Sequence, residues 1–116
     1  MRLVRLNDTC EILRPTGEKD EWDNVVYEDS PVYSGECLYE EGGSYYSSQI
    51  FVKSPNVFIP KIDELVLIGD VINITTEKGR LVKGVARGIR DINLSVFANL
   101  ELTRIELDQA KEEKEN

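Results

Sequence analysis

Three features of the sequence predict an all-β fold: a small single-domain β-barrel of about six strands, with a long flexible loop and a frayed acidic C-terminal tail. β-branched and aromatic residues crowd the stretch from Ser48 to Glu77, where Pro55, Pro60 and Gly69 break it into short segments. Such segments suit strands rather than a helix. Apolar and polar residues alternate on either side of that stretch, as in a half-buried strand. Gly84 and Gly88 lie four residues apart in one long run, on a single face, where they let a strand bend as a closing barrel requires.

Taken in order, Asp8 to Arg14 reads as the first strand, with Cys10 and Ile12 on one face and Thr9, Glu11 and Leu13 on the other. Pro15, Thr16 and Gly17 open a polar connection through Glu18, Lys19, Asp20 and Glu21. Trp22, Val25, Val26 and Tyr27 then form a short return strand or its ragged edge. Trp22, the sole tryptophan, is expected to pack as a core or interface anchor rather than to form a binding platform. From Pro31 to Tyr39 the alternation is regular: Tyr33, Gly35, Cys37 and Tyr39 share one face, Ser34, Glu36, Leu38 and Glu40 the other.

Next comes a segment with almost nothing to bury: Glu40, Glu41, Gly42, Gly43, Ser44, Tyr45, Tyr46, Ser47 and Ser48. The glycines permit a change of conformation and the tyrosines give amphipathic contact at low rotamer cost. It reads as a loop displayed by its scaffold. Beyond it, the apolar segments Gln49 to Pro60 and Asp70 to Thr76 flank a linker whose Asp63, Glu64 and Asp70 are expected to face water. Glu77 to Arg80 makes a tight turn, Leu81 to Ile92 is a long strand, and Ser95 to Glu106 closes the domain with Val96, Ala98, Leu100 and Leu102 on one face. The barrel is expected over residues 1–107 and the tail over 108–116, which holds one alanine and no larger apolar residue. Burial there cannot offset the entropy of ordering, expected to leave the tail frayed or a short solvated helix.

Composition narrows the function classes. A chain of 116 residues is one domain, large enough for a modest core without disulfides. Cys10 and Cys37 fit no metal spacing and read as small semi-buried apolar side chains, with a cross-strand meeting as the alternative. No apolar run matches a signal peptide or a membrane span, so a cytoplasmic protein with no membrane partner is expected. The formal charge of −8, from 22 acidic and 14 basic residues, repels a phosphate backbone and argues against specific DNA binding. The basic set Lys78, Arg80, Lys83, Arg87 and Arg90 is split by strand periodicity, Lys83 and Arg87 on one face and Arg80 and Arg90 on the other, and is expected to pair with the acidic excess. The chain has no histidine, which removes the commonest general base. No EF-hand spacing or phosphate-binding glycine motif occurs. No enzyme, catalytic residue, metal site or cofactor is therefore expected.

The order of Asp8-Thr9-Cys10-Glu11-Ile12-Leu13, then Val32 to Glu40, a loop, Val57-Phe58-Ile59-Pro60, Ile68-Gly69-Asp70-Val71-Ile72 and Leu100-Glu101-Leu102 resembles the head-tail connector proteins of tailed bacteriophages. These include the head-completion (head-closure or stopper) proteins of the minor capsid class. The likeness covers residues 8–103 and is one of strands and turns. It implies a structural protein of a phage or prophage virion: a β-barrel subunit of a homo-oligomeric ring in the neck, assembled in the host cytoplasm. The implied partners are the portal-bound adaptor and the tail-completion proteins, with DNA passing through without specific binding. The segment Glu40–Ser48 would be the channel and interface loop, helping to close the DNA channel, and Met1 to Asn7 and the acidic tail the docking arms. The rival reading is a small barrel that recognises a peptide or glycan through Tyr33, Tyr39, Tyr45 and Tyr46. A carboxylate hydrolase using Asp63, Glu64 and Asp70 is a distant third.

Overall fold

The computed structural model describes residues 6–41, 43–46, 50–53, 55–94 and 100–113, with backbone alone at 43–46, 50–53, 92–94, 100 and 109–113. Ten strands occur among them: β1 (Asp8–Leu13), β2 (Pro15–Lys19), β3 (Val25–Tyr27), β4 (Tyr33–Glu40), β5 (Gly43–Tyr46), β6 (Ile50–Lys53), β7 (Asn56–Pro60), β8 (Val71–Thr75), β9 (Leu81–Leu94) and β10 (Leu100–Glu113). Six close into an antiparallel barrel in the order β1-β4-β7-β10-β9-β8, with β8 pairing back onto β1. Every barrel strand has a neighbour on both sides, although β9 beyond Val85 and β10 beyond Glu106 pair in the ladder on one side only. The other four strands form two separate hairpins, β2–β3 and β5–β6.

The alternation in each barrel strand sends one set of side chains inward. Ile12 from β1, Cys37 from β4, Val57 and Ile59 from β7, Ile72 and Ile74 from β8, Ala86 from β9, and Ile105 and Leu107 from β10 are all buried. They form one continuous cluster, with Tyr33 and Tyr39 packed against it. The barrel interior is therefore a filled core. At Gly84 a Cβ would stand 3.2 Å from Leu107 Cβ, so the leucine occupies the space that a side chain at 84 would need. The β9–β10 ladder shifts register between Glu106 and Leu107 and again between Asp108 and Lys111, opposite residues 83–88. The bulge that precedes Gly88 sets the two glycines on opposite faces, Gly84 inward against Leu107 and Gly88 outward opposite Glu106, rather than on the single face their spacing suggests.

Three expectations need correction. The acidic C-terminal segment continues β10 as far as Glu113, pairing Lys111 with Lys83, Glu112 with Val82 and Glu113 with Leu81. Composition weighs the apolar surface a segment can bury, whereas here the long β9 supplies backbone partners without it. The displayed loop is in part a strand: Gly43 pairs with Lys53 and Tyr46 with Ile50. Two adjacent tyrosines suit a ladder opposite Ile50, Phe51 and Val52, and a three-residue connection suits a hairpin. Gly42, Ser47 and Ser48 lie outside the described residues. Finally, Trp22 is no core anchor, being 77% exposed at the tip of the β2–β3 hairpin.

The hairpins leave opposite ends of the barrel. β2–β3 begins where Leu13 meets Val71, at the end that also carries the 61–70 connection. β5–β6 is inserted between Glu40 and Asn56, which pair at the other end, near the β8–β9 turn.

Candidate interaction surface

The connection from Lys61 to Asp70 has no regular structure, yet it is pinned. Arg14, just past β1, donates from Nε to Asp70 Oδ1 at 3.1 Å and from Nη2 to Asp70 Oδ2 at 3.1 Å. Nη2 also donates to the Leu65 carbonyl at 2.7 Å, and Nη1 reaches Glu64 at 3.5 Å. Asp70 Oδ2 accepts a further bond from the Leu67 amide at 2.9 Å. A two-pronged guanidinium–carboxylate contact fixes orientation as well as distance. The hydrogen bond to Asp70 is the main cause that raises the Arg14 pKa above its ordinary value.

Asp70 itself is 2% exposed, so one of the three linker carboxylates expected to face water is buried. Asp63 and Glu64 do face it. Asp70 is held as a structural acceptor by Arg14 and by the Leu67 amide, and exposed Glu64 reaches the same guanidinium. Among the described residues no group of three or more His, Cys, Asp or Glu side chains is placed to hold a metal.

The clamp determines which way the apolar run Leu65-Val66-Leu67-Ile68 faces. Val66 enters the core at 8% exposure, while Leu65 and Ile68 are about three-quarters exposed and Leu67 is half exposed. Asp70 N donates to the Leu67 carbonyl at 3.0 Å across a turn whose third residue, Gly69, has φ +99°. That geometry is a type II turn and favours glycine there. It leaves Ile68 at the apex. A groove of ≈ 300 Å³ lies between this turn and the start of β2, lined by Arg14, Pro15, Gly17, Leu67, Ile68 and Gly69. Exposed aliphatic side chains held by a rigid frame are the chemistry of a protein-docking surface.

At the other end Asp8 does similar work. Its buried carboxylate accepts the Tyr39 amide on Oδ2 and the Glu77 amide on Oδ1, both at 2.8 Å, tying β4 to the β8–β9 turn. Arg80 in that turn pairs with Glu41. Of the segment expected to be the channel and interface loop, Glu40 ends β4, Glu41 carries this ion pair, and Gly43, Ser44, Tyr45 and Tyr46 form β5.

The basic set is arranged differently from the simple alternation. Gly88 pairs with Glu106 and Ala86 with Leu107, which leaves Arg87 as an extra residue in β9. This one-residue bulge reverses the alternation, so exposed Arg90 shares the outer face with Lys83 and Arg87. Arg80 and Arg87 pair with acids, as the charge balance leads one to expect: Arg87 bonds Glu106, the main cause of its raised pKa. Arg90 instead sits directly opposite Arg104 on β10.

The cysteines are both buried and free. A hydrogen bond with Cys10, then burial, drives the Cys37 thiol pKa up. Tyr33 donates from its hydroxyl to the Glu36 carbonyl at 2.6 Å, and burial is the first cause that raises its pKa to about 12. Tyr33 and Tyr39 therefore belong to the barrel wall.

No protein-family model, curated protein or solved structure matches this chain. Sequence reasoning missed the Arg14–Asp70 clamp because 56 positions separate the partners. It placed the Leu65–Ile68 run in the linker between two strand segments, but composition does not reveal which residues of an apolar run turn outward. Asp63, Glu64, Gly69 and Asp70 marked the linker by their turn chemistry, yet gave no sign that its aliphatic side chains form an exposed surface.

Proposed function

We propose that this chain is a structural subunit of the neck of a tailed phage or prophage virion, forming a ring between the portal with its adaptor and the tail. It acts by docking to proteins rather than by changing bonds. The observation that carries the reading is the position of its exposed apolar surface: Leu65, Leu67 and Ile68 stand on a connection clamped by a buried ion pair, at one end of a solid barrel. A rigid body with contact elements at both ends suits a component stacked between neighbours along an axis. Here the clamped aliphatic turn meets one neighbour, and the β5–β6 hairpin is the element offered to the channel. The chain's formal charge of −8 suits a lumen through which DNA slides without being held. The half-buried placement of Tyr33 and Tyr39 against the core weakens the rival reading of a tyrosine-lined ligand pocket.

Electron microscopy of the particle, or of the purified portal complex after addition of this protein, tests the proposal. Ring density at the tail-proximal end that fits the barrel is expected. Particles in which mass spectrometry finds no trace of the chain refute it.

A further inference from the structure

The β2–β3 hairpin ends in an unusually well-determined tip. Asp20 Oδ1 accepts the amides of Trp22 and Asn24, each at 2.9 Å. Asp20 N donates to the Asn24 carbonyl at 2.9 Å, and Asp23 adopts a left-handed φ of 64°. This network holds the backbone that presents the only tryptophan of the chain, 77% exposed, among Glu18, Asp20, Glu21 and Asp23 against the single Lys19. An exposed tryptophan on a fixed turn gains little from the fold it belongs to. On binding, it would sacrifice little backbone entropy.

The complementary surface lies on another seam of the same molecule. In the cyclic strand order the β1/β4 seam, from which the hairpin departs, is diametrically opposite the β10/β9 seam. On that seam Arg90 and Arg104 are directly cross-strand, a like-charge pairing that costs stability. Neither has a hydrogen bond or ion pair among the described residues. They border a recess of ≈ 160 Å³, lined also by Gly88, Ile89 and Glu106. The Glu106 carboxylate is already paired with Arg87. At Gly88 a Cβ would stand 3.2 Å from Glu106 Oε2, so the glycine makes room for that paired carboxylate and the two guanidinium groups form the free wall; guanidinium planes are good neighbours for an indole.

We propose that the Trp22 tip of one copy of this chain inserts into the Arg90–Arg104 recess of the next copy, with the acidic residues of the tip pairing the two arginines. The other groove, beside Leu67 and Ile68, is a poor receptor for this tip. Its Arg14 is already paired, and Asp63 and Glu64 stand close by in sequence. Tip and recess are different patches, one on a hairpin that departs from the β1/β4 seam and one on the β10/β9 seam, so the contact is head-to-tail and propagates into a ring or a filament. In the neck this would be the lateral contact between ring subunits. To that extent it deepens the proposed function, but the contact itself is testable on the purified chain.

Sedimentation of the full-length chain at low salt is expected to show concentration-dependent self-association that weakens as salt rises. Trp22→Ala and Arg90→Glu/Arg104→Glu should each weaken it by about thirtyfold or more, with an unchanged circular dichroism spectrum. Mixing the two variants should restore one contact and stop at a one-to-one dimer, because only one intact tip and one intact recess face each other. A wild-type chain that stays monomeric up to millimolar concentration overturns the proposal, as does association that either variant leaves intact or a mixture that forms no dimer. Association through this contact in a chain absent from virions would refute the neck function alone. Normal virion rings built from Trp22→Ala protein would refute this contact alone.

Discussion

Replacing Asp70 with alanine should destabilise the protein through one loop. The substitution removes two hydrogen bonds from Arg14 and the acceptor for the Leu67 amide. Breaking a buried ion pair from one side costs roughly 3 to 5 kcal/mol. Arg14 is one-fifth exposed and keeps the Leu65 carbonyl and Glu64 as partners, so part of its charge can be rehydrated. That places the loss near the lower bound, about 3 kcal/mol, a sizeable share of the 5 to 15 kcal/mol typical of a domain. For a chain of this size it corresponds to a fall in Tm of roughly 10 °C. Urea unfolding should show a lower midpoint at constant slope. Asp70→Asn keeps the shape and one acceptor and should lose about half as much. Hydrogen exchange should accelerate first at the Leu67 amide, whose acceptor is gone, and at the Gly69 amide, which donates to the Ala86 carbonyl at 2.8 Å. A loss below about 1 kcal/mol, or one with no faster exchange across residues 61–70, would refute the view that this clamp holds the aliphatic surface in place.

Gly69→Ala should destabilise by about 1 to 2 kcal/mol. At φ +99° nothing lies within 4 Å of the added Cβ, so any loss reports backbone strain alone, and a neutral result in thermal melts would rule the type II turn out. Stability should decline in alkali. The neutral forms of Cys37 and Tyr33 are favoured in the fold, so their contribution is complete below the ordinary thiol and phenol values of 9.0 and 10.0. It is lost as pH rises through that window towards about 12 for Tyr33, because the unfolded chain ionises first. Urea midpoints measured from pH 8 to 11 should fall, with Cys37→Ala flattening the early part; a constant midpoint would contradict the burial of both groups. Trp22→Ala should change stability by less than about 0.5 kcal/mol; a larger loss in chemical denaturation would mean that the tip packs against the barrel.

Much of the barrel was legible because period-two alternation records which face of a strand is buried. Cys10 and Ile12 in β1, and Tyr33, Cys37 and Tyr39 in β4, point to the core as their spacing requires. Legibility ended where a single extra residue intervened. The bulge at Arg87 moves Arg90 to the same face as Lys83 and Arg87 and sets it opposite Arg104, a change invisible in a count of alternate positions. It also ended where a segment's state depends on a distant partner: Asp108 to Glu113 is a strand because β9 extends to Leu81, and Gly43 to Tyr46 because Ile50 to Lys53 lies alongside.

The amino-acid sequence by itself determined the all-β class, the inward faces of β1 and β4, and the lack of histidine. These follow from local backbone preference and from residue chemistry, which need no partner. Only the tertiary structure decided that Asp70 is buried against Arg14, that Leu65, Leu67 and Ile68 face outward, and that the hairpin bearing Trp22 departs from the seam opposite the Arg90–Arg104 pair. Each depends on which strands meet around the barrel, a global property of its closure that brings together groups whose separation along the chain carries no trace of the contact.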